Sequence, residues 1–301
     1  MIVSIASGKG GAGKTTVSAA LAAVWDGPLA AVDLDVEEPN LHLFLHPEIA
    51  SETPAYLEIP VIDEEKCDLC RACVDLCRFK ALAMFGDTLM PFPDMCHGCG
   101  GCMAICPQKA ISPGKRELGT VLRGLIRDSG GAGRSIGYLA GRLRVGEAMS
   151  PPLMRQVKEE LTRLLETAPM DAVLDAPPGV SCPAVCAVMD SEFILLVTEP
   201  TPFGLHDFSL AFEAFAPLKK PMGAVINRAG IGDAPVAEFC RDNGLPVLAE
   251  IPYDRAVAEG YARGRTAVEA NPALGPVFAG VISAMRAAVA KMAAKEAPCA
   301  R

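Results

Sequence analysis

A glycine-rich loop between an apolar strand and an apolar helix constrains the fold of this chain more than any other feature. The segment Gly8–Thr15 reads Gly-Lys-Gly-Gly-Ala-Gly-Lys-Thr and fits the pattern G-x-x-x-x-G-K-[ST]. The apolar residues 1–7 predict a strand before it, and residues 14–24 predict a helix after it. In this context backbone N–H groups wrap phosphates, and the helix N-terminus adds positive potential. The sequence therefore predicts a nucleotide-phosphate site formed by Gly8, Gly10, Gly11, Ala12, Gly13, Lys14, Thr15 and Thr16.

Two side chains of the loop are expected to carry its chemistry. The Lys14 ammonium is predicted to contact the β- and γ-phosphates, and the Thr15 hydroxyl to bind Mg²⁺. An ordinary glycine turn is the alternative interpretation. The strand before the loop and the helix after it favour the phosphate site, because that context is the one in which the motif binds nucleotides.

The rest of the chain has the pattern of a layered α/β protein. Short apolar runs bounded by turn residues occur at 29–33, 171–175, 193–198, 222–227 and 247–251. Helical patterns lie between them at 153–165 and 234–243, and an Ala-rich helix at 274–295 is expected to dock on the sheet. Such runs are typical of buried parallel strands, so we expect an α/β fold with a doubly wound, mostly parallel sheet.

The cysteine content indicates what kind of chemistry the chain performs. Its 301 residues include 12 Cys, and its first residues lack the basic start and cleavage site of an export signal. The cytosol keeps thiols reduced, so these cysteines indicate metal or redox chemistry and not structural disulfides. The net charge of −8 and the 5% aromatic content argue against nucleic-acid binding. We also expect no membrane span, because no apolar run reaches the required length of about 18–20 residues.

Eight of these cysteines form a duplicated pattern in the middle of the chain. The spacing C-x₂-C-x₂-C-x₃-C occurs at Cys67–Cys77 and again at Cys96–Cys106. The composition changes near Val61 and reverts after Ile111. A segment of about 50 residues is too short for a self-sufficient apolar core, so bound metal is expected to supply much of its folding energy. The sequence thus predicts a P-loop domain at 1–60 and 112–301, with a metal-binding domain inserted at 61–111.

The insert resembles a small α+β bacterial ferredoxin with two clusters, in which the fourth Cys of each run serves the other cluster. Pro107 follows the second run as in that family, whereas Arg78 replaces the proline after the first. The resemblance implies two [4Fe–4S] clusters per chain, one held by Cys67, Cys70, Cys73 and Cys106 and the other by Cys96, Cys99, Cys102 and Cys77. Zinc is the alternative metal, since paired C-x₂-C also binds Zn²⁺.

The first lysine of the glycine loop, Lys9, carries a second family resemblance. The run Gly-Lys-Gly-Gly-x-Gly-Lys-Thr resembles the deviant Walker A motif of the MinD/ParA superfamily, which includes the nitrogenase iron protein and the Mrp-type cluster carriers. This resemblance implies an ATPase that binds ATP and Mg²⁺ and forms a homodimer on ATP binding. It also implies that Lys9 reaches across the dimer to the other nucleotide and stabilises charge there, in the manner of an arginine finger.

Two acidic segments resemble the switch regions of the same superfamily. Asp33-Leu34-Asp35 resembles switch I, which implies that Asp35 orients the attacking water and that Asp33 lies near Mg²⁺ or its waters. Asp175-Ala176-Pro177-Pro178-Gly179 ends an apolar run and resembles Walker B with switch II. That resemblance implies that Asp175 holds a Mg²⁺-bound water.

The resemblance extends to the residues that hold the nucleotide base. Asn227 and Arg228 follow a predicted strand and resemble the adenine-reading segment. Pro252 and Tyr253 resemble the segment that closes over the base. The alternative for Asn227 is a simple turn residue at a strand end.

Two further cysteines follow the second switch. Pro183 suits the first turn of a helix, and the i,i+4 spacing of Cys182 and Cys186 then places both sulfurs on one helix face. Cys182 lies at the offset from Asp175 at which the nitrogenase iron protein has a cluster-ligating Cys. One hypothesis is a third cluster that bridges two protomers; the alternative is a pair of small buried thiols.

The combined architecture resembles MinD-superfamily ATPases that carry an inserted ferredoxin domain. It implies a cytoplasmic protein in which ATP gates electron transfer to a partner, such as a small protein of molybdenum or iron–sulfur cofactor handling. The alternatives are a carrier or assembly factor for such cofactors, and a MinD-like positioning ATPase with redox-sensing clusters. Full cysteine ligation argues against transferable cargo. The Ala-rich end, broken by Pro298, argues against membrane docking.

Overall fold

A large mixed sheet organises the molecule. The computed structural model describes residues 1–127, 135–231 and 235–296. Its strands are β1 (Ile2–Ala6), β2 (Leu29–Asp33), β3 (Glu48–Ile62), β4 (Leu82–Phe85), β5 (Thr88–Pro91), β6 (Ile111–Arg127), β7 (Ser135–Leu143), β8 (Asp171–Asp175), β9 (Phe193–Thr198), β10 (Met222–Ala229) and β11 (Val247–Pro252). The large sheet has the order β11-β10-β9-β1-β8-β2-β7-β6-β3, and β4 pairs with β5 in a separate hairpin.

Most of this sheet is parallel. The strands from β11 to β7 run parallel to one another, and β6 and β3 continue the sheet antiparallel. Strands β2 and β9 are buried along their whole length, because helices cover both faces of the sheet. The prediction of an α/β fold with a mostly parallel sheet is therefore confirmed.

The helices divide into two layers around this sheet. They are α1 (Lys14–Val24), α2 (His42–Leu45), α3 (Ala72–Leu76), α4 (Gly101–Ile105), α5 (Ser150–Thr167), α6 (Cys182–Val188), α7 (Pro202–Phe215), α8 (Pro235–Asp242), α9 (Arg255–Tyr261), α10 (Ala267–Ala270) and α11 (Gly275–Glu296). On one face α1 and α11 bury side chains such as Leu21 and Phe278. On the other face α5, α6 and α7 bury Val157, Val188 and Phe208. The helix predicted at 234–243 is observed at Pro235–Asp242, and residue 234 lies outside the described residues.

The antiparallel edge of the sheet was missing from the sequence prediction. Strands β3, β6 and β7 occupy segments to which no element was assigned, including most of 116–144. Pro54, Pro60 and Pro113 interrupt the apolar alternation that identifies a strand. An antiparallel edge can expose one face to water, so β3 lacks the continuous apolar run of a buried strand.

Strands β3 and β6 form a long ribbon that holds residues 63–110 at its far end. The pairing runs from Glu48 opposite Leu125 to Ile62 opposite Ile111. Helices α3 and α4 and the β4–β5 hairpin lie beyond it, around a cluster of Cys73, Leu82, Leu89 and Ile111. Within the described residues this cluster is small for an independent hydrophobic core.

Helix α11 departs from the expectation that no apolar run is long enough to span a membrane. The stretch Pro272–Ala294 has a mean hydropathy of 1.6 and is long and apolar enough to cross a membrane. Its bulky side chains, Phe278, Val281 and Met285, are fully buried in the core layer shared with α1. Only 28% of its most apolar window is buried, and length and composition alone are weak evidence for a membrane span. Pro298 lies outside the described residues.

Candidate nucleotide and cysteine sites

The phosphate loop lies between β1 and α1, at the carboxyl end of the parallel strands. Gly13 has a φ of 100°, and a Cβ there would overlap the side-chain amide of Asn227. A Cβ at Gly8 would overlap the backbone of Asp207 on α7. These two positions require glycine because another segment approaches the loop closely. Gly10 has open space around it, so no neighbouring protein atom requires glycine at this position.

Lys14 and Thr15 lie in the first turn of α1, facing the end of β8. Lys14 is 7% exposed, and burial lowers the pKa of its ammonium despite the nearby Asp175 and Asp35. The Thr15 hydroxyl donates to Asp175 Oδ2 at 2.7 Å, and the Ser18 hydroxyl donates to Asp175 Oδ1 at 2.9 Å. Both oxygens of Asp175 are therefore directed at α1. Thr16 is the next residue of the helix and is half-buried.

The two switch I carboxylates have different surroundings. Asp33, at the end of β2, is fully buried and accepts N–H bonds from Asp35 at 3.1 Å and from Leu41 at 2.9 Å. Burial and the charge of Asp175 raise the pKa of Asp33 well above its ordinary value. Asp35 is less enclosed, and burial raises its pKa to about 6 although Lys14 opposes the shift. Asp33 thus braces the switch I backbone, whereas Asp35 is free to face a ligand.

An acidic residue that the sequence analysis did not single out lies on the other side of the loop. Glu199, directly after β9, accepts from Lys9 Nζ at 2.5 Å and from Arg228 Nη1 at 2.9 Å. Burial by itself would raise the pKa of Glu199, but the bonds from the two cations hold it below its usual range. Sequence reasoning could have singled out Glu199 from its place directly after a predicted strand, because ligands bind at the carboxyl ends of parallel strands in such sheets.

The predicted base-binding residues lie at the ends of β10 and β11. Asn227 Nδ2 donates to the carbonyl of Ala12 in the phosphate loop at 3.0 Å. Arg228 has a φ of 54°, and the Tyr253 N–H donates to the Ala229 carbonyl at 3.3 Å. Pro252 and Tyr253 are exposed at the end of β11. The structure therefore brings Asn227 and Arg228 to the loop and leaves the side chain of Tyr253 open to solvent.

The eight cysteines at the end of the ribbon divide between two neighbouring cavities. The first cavity is lined by Cys67, Cys70, Cys73 and Cys106. The second is lined by Cys77, Cys96, Cys99 and Cys102, and Cys73 also borders it. The ring of Phe79 stacks on His97 beside the second cavity, with centroids 3.6 Å apart.

The two cysteine runs have matching backbone conformations. Leu69 and Arg71 in the first run and Gly98 and Gly100 in the second all have positive φ, at corresponding positions. The N–H of Ala81 donates to Cys77 Sγ, and the N–H of Ala110 donates to Cys106 Sγ, each at 3.3 Å. The sequence duplication is thus a structural duplication. Each fourth cysteine accepts an N–H bond from the residue four positions farther along the chain.

No site for a lone metal ion is found in residues 1–127, 135–231 and 235–296, because no three His, Cys, Asp or Glu side chains converge closely enough. The cysteines surround cavities and do not meet at a point.

Cys182 and Cys186 lie on α6, after the second switch. Cys182 is the first residue of the helix and is exposed, while Cys186 is half-buried against the α5–α7 core layer. The Cys186 carbonyl accepts a bond from Lys158 Nζ of α5 at 2.7 Å. Cys182 is thus accessible, whereas Cys186 is partly packed, so the two are not a pair of buried thiols.

Comparisons with known proteins agree with this geometry. The family model of the CobQ/CobB/MinD/ParA nucleotide-binding domain matches residues 3–268. The uncharacterized protein MJ0579 of Methanocaldococcus jannaschii is 30% identical over 282 residues, covering 90% of this chain and 93% of that protein. The structure of the septum site-determining protein MinD of Pyrococcus horikoshii with Mg-ADP is similar in fold, with a TM-score of 0.54 and 21% identity over 93% of this chain and 92% of the other.

A shorter similarity involves an oxidoreductase subunit. The pyruvate synthase subunit PorD of Thermotoga maritima is 38% identical over 53 residues, which are 17% of this chain and 54% of that protein. The family model, by contrast, matches most of the chain and includes the phosphate loop, both switch segments and the end of β10. This chain therefore belongs to the CobQ/CobB/MinD/ParA nucleotide-binding family.

Proposed function

We propose that this protein is a Mg²⁺-dependent ATPase whose ATP-driven homodimer controls electron transfer through two [4Fe–4S] clusters to a partner protein. The convergence of Lys14, Thr15 and three aspartates at one phosphate loop is the observation that carries the proposal. Family members bind nucleotides, and the buried carboxylates next to the loop are the groups that such a reaction needs.

The nucleotide chemistry is assigned to this chain's own side chains. Lys14 binds the β- and γ-phosphates. The Thr15 hydroxyl and Asp175, which are bonded to each other here, are the groups that would hold Mg²⁺. Asp35 accepts a hydrogen bond from the attacking water, because with a pKa of about 6 it is mostly ionised at neutral pH. Lys9 stabilises charge on the nucleotide of the other protomer, and Asn227, Arg228, Pro252 and Tyr253 hold the base.

We assign the cysteine cavities to two [4Fe–4S] clusters in a domain at 61–111. Cys67, Cys70, Cys73 and Cys106 would hold one, and Cys77, Cys96, Cys99 and Cys102 the other. Such clusters exchange single electrons at potentials tuned by N–H bonds to sulfur, and Ala81 and Ala110 supply N–H bonds of this kind. The similarity to an oxidoreductase subunit over about the insert's length supports a redox role.

The packing of the second cysteine run supports a link between the two sites. A Cβ on Gly98 would lie 2.5 Å from Leu57 Cδ1 and 3.1 Å from the Glu58 carbonyl, so this loop rests directly on β3. Leu57 belongs to the core layer beneath α5 and α6. The second cavity is therefore the nearer one to the nucleotide sheet, and the first lies farther along the ribbon.

An anaerobic redox titration followed by EPR, with and without MgATP, tests the proposal. Coupling predicts a shift of about 60 mV or more, which is about tenfold in a one-electron equilibrium. The Lys14→Ala variant should lose the shift and keep the clusters. Unchanged potentials would contradict the gating, and release of iron to an apo-acceptor would point to a carrier instead.

The third, bridging cluster remains a separate proposal for Cys182 and Cys186. The exposed sulfur of Cys182 supports it. We expect the Cys182→Ser/Cys186→Ser double variant to lose about four iron atoms per dimer. Unchanged iron per dimer would exclude the bridge and leave two structural thiols.

A further inference from the structure

Glu199 joins two cations that belong to different parts of the nucleotide site. Its carboxylate accepts from Lys9 Nζ at 2.5 Å and from Arg228 Nη1 at 2.9 Å, and the Thr201 hydroxyl donates to Oε1 at 3.3 Å. The Glu199 side chain is 12% exposed and that of Lys9 is 29% exposed. One carboxylate thus connects the phosphate loop to the end of β10.

This contact conflicts with the role assigned to Lys9. An ammonium held at 2.5 Å by a carboxylate of its own chain is directed inward, across the loop and toward β9. The same side chain must point away from its own subunit to reach the nucleotide of a second one. Arg228 bonds the same carboxylate, so one negative charge is shared between two cations.

We propose that Glu199 is a positioning residue that clasps Lys9 in its own subunit until ATP binding opens the contact. This inference rests on the proposed function, because it assumes that Lys9 acts across an ATP-bound dimer. The nucleotide adds negative charge beside the loop, which competes with Glu199 for both cations. The clasp therefore sets how much ATP is needed before Lys9 is free to bridge two protomers.

The strength of the clasp follows from its charge and enclosure. Hydrogen bonds between ionised groups are about twice as strong as neutral ones, and partial burial reduces their screening by water. Replacement by glutamine keeps the size of the side chain and removes the charge. We expect the Glu199→Gln variant to dimerise at about tenfold lower ATP than the natural chain.

Two measurements on the full-length, cluster-loaded protein test this. The first is the acylation rate of Lys9 by an amine-reactive ester without nucleotide, followed by mass spectrometry of the Lys9 peptide. The second is the concentration of a slowly hydrolysed ATP analogue at half-maximal dimerisation, from sedimentation. Both are made on the natural chain, Glu199→Gln, Glu199→Asp and the control Glu213→Gln, an exposed position on α7.

We expect Lys9 to be acylated about tenfold faster in Glu199→Gln, at an intermediate rate in Glu199→Asp, and unchanged in Glu213→Gln. The analogue concentration at half-maximal dimerisation should be lowest in Glu199→Gln, intermediate in Glu199→Asp and unchanged in Glu213→Gln. Equal acylation in the natural chain and Glu199→Gln would overturn the clasp, whatever the dimer does. Faster acylation without nucleotide-dependent dimers in any variant would instead overturn the ATP-driven dimer, and with it the role of the clasp. Matching melting temperatures check that each variant is folded.

Discussion

Burial sets the ionisation of the carboxylates around Lys14. Asp33 and Asp175 are enclosed at the ends of β2 and β8, and burial raises the pKa of each. Asp35 is more open, and its pKa is raised to about 6. Burial therefore makes it costly for these three carboxylates to be ionised together unless a counter-charge lies beside them. A divalent cation is the natural counter-charge for this arrangement.

The raised pKa of Asp35 predicts a pH-dependent stability. Folding raises this pKa from 3.8 to about 6, so the folded chain binds the proton more tightly than the unfolded chain. The resulting stabilisation is complete below pH 3.8 and is lost as the pH rises through about 6. We expect the metal-free and nucleotide-free protein to melt at lower temperature at pH 7 than at pH 5.5, relative to Asp35→Asn.

Thermal melts across this pH range on the natural chain, on Asp35→Asn and on Asp87→Asn check this prediction. Asp87 is exposed in the β4–β5 turn and serves as the control for loss of a carboxylate. The difference in melting temperature between the natural chain and Asp35→Asn at each pH isolates the effect of Asp35 from that of the other titrating groups. A difference that is independent of pH would show that Asp35 has the same pKa folded and unfolded.

At the scale of elements, the cysteine segment has too few buried side chains to hold its two loops in place alone. Its described core is Cys73, Leu82, Leu89 and Ile111. Positive φ at Leu69 and Arg71 adds strain, because side chains rarely adopt this conformation. We infer that ligand bonds to the cysteines supply the missing stabilisation.

Cys77, the fourth cysteine of the first run, can test which cysteines hold which proposed cluster. Cys77 lies in sequence with Cys67–Cys73 but lines the cavity of the second run. We expect Cys77→Ser to reduce iron from about eight to about four per chain and to retain the cluster of Cys67, Cys70, Cys73 and Cys106. Iron analysis and EPR of the remaining cluster check this. Cys240→Ala, a buried thiol on α8, is the control and should keep all the iron.

At the scale of the whole molecule, the ribbon is the connection between the cysteine loops and the nucleotide sheet. The Gln156 amide of α5 donates to the Tyr56 carbonyl of β3 at 3.1 Å. Arg116 of β6 contacts Glu147, which accepts bonds from the N–H groups of Ala148 and Met149 just before α5. Helix α5 also bonds to α6 through Lys158. The segment after β8, which leads into α6, is therefore connected to the ribbon through α5.

Two glycines of the second cysteine run provide a matched test of this route. Gly98 and Gly100 have φ of 63° and 71°, so alanine is strained at both. Only at Gly98 would the new Cβ crowd Leu57 and Glu58 of β3, and Gly100 has open space. We expect Gly98→Ala to cost about 1–3 kcal/mol more than Gly100→Ala, as overpacking does.

Melting temperatures and the MgATP-dependent shift in cluster potential check this prediction. The Gly98→Ala variant should lower both the melting temperature and the MgATP-dependent shift. The Gly100→Ala variant should lower the melting temperature less and leave the shift unchanged. If both variants kept the shift, contact between the second cysteine run and β3 would be unnecessary for coupling.

The local pattern of the chain determined much of the fold and the core of the candidate site. The bounds predicted for α1, β2, β8 and β9 agree with the structure, since buried parallel strands and Gly-rich loops have strong local signatures. The phosphate loop follows from the same signals, whereas Asp33, Asp35 and Asp175 were predicted from the resemblance of their segments to the switch regions of the MinD/ParA superfamily. The duplication of the cysteine runs was also visible in their spacing.

Only the tertiary structure decided the rest. The β3–β6 ribbon depends on pairing between segments far apart in sequence, and its Pro-interrupted, half-exposed strands have no local signature. The contact of Glu199 with Lys9 joins residues separated by most of the chain, so no spacing indicates it. The pairing of Cys77 with the second cavity likewise became visible as geometry only once the loops were folded together. Local periodicity reports what a segment buries, whereas long-range packing decides which segments meet.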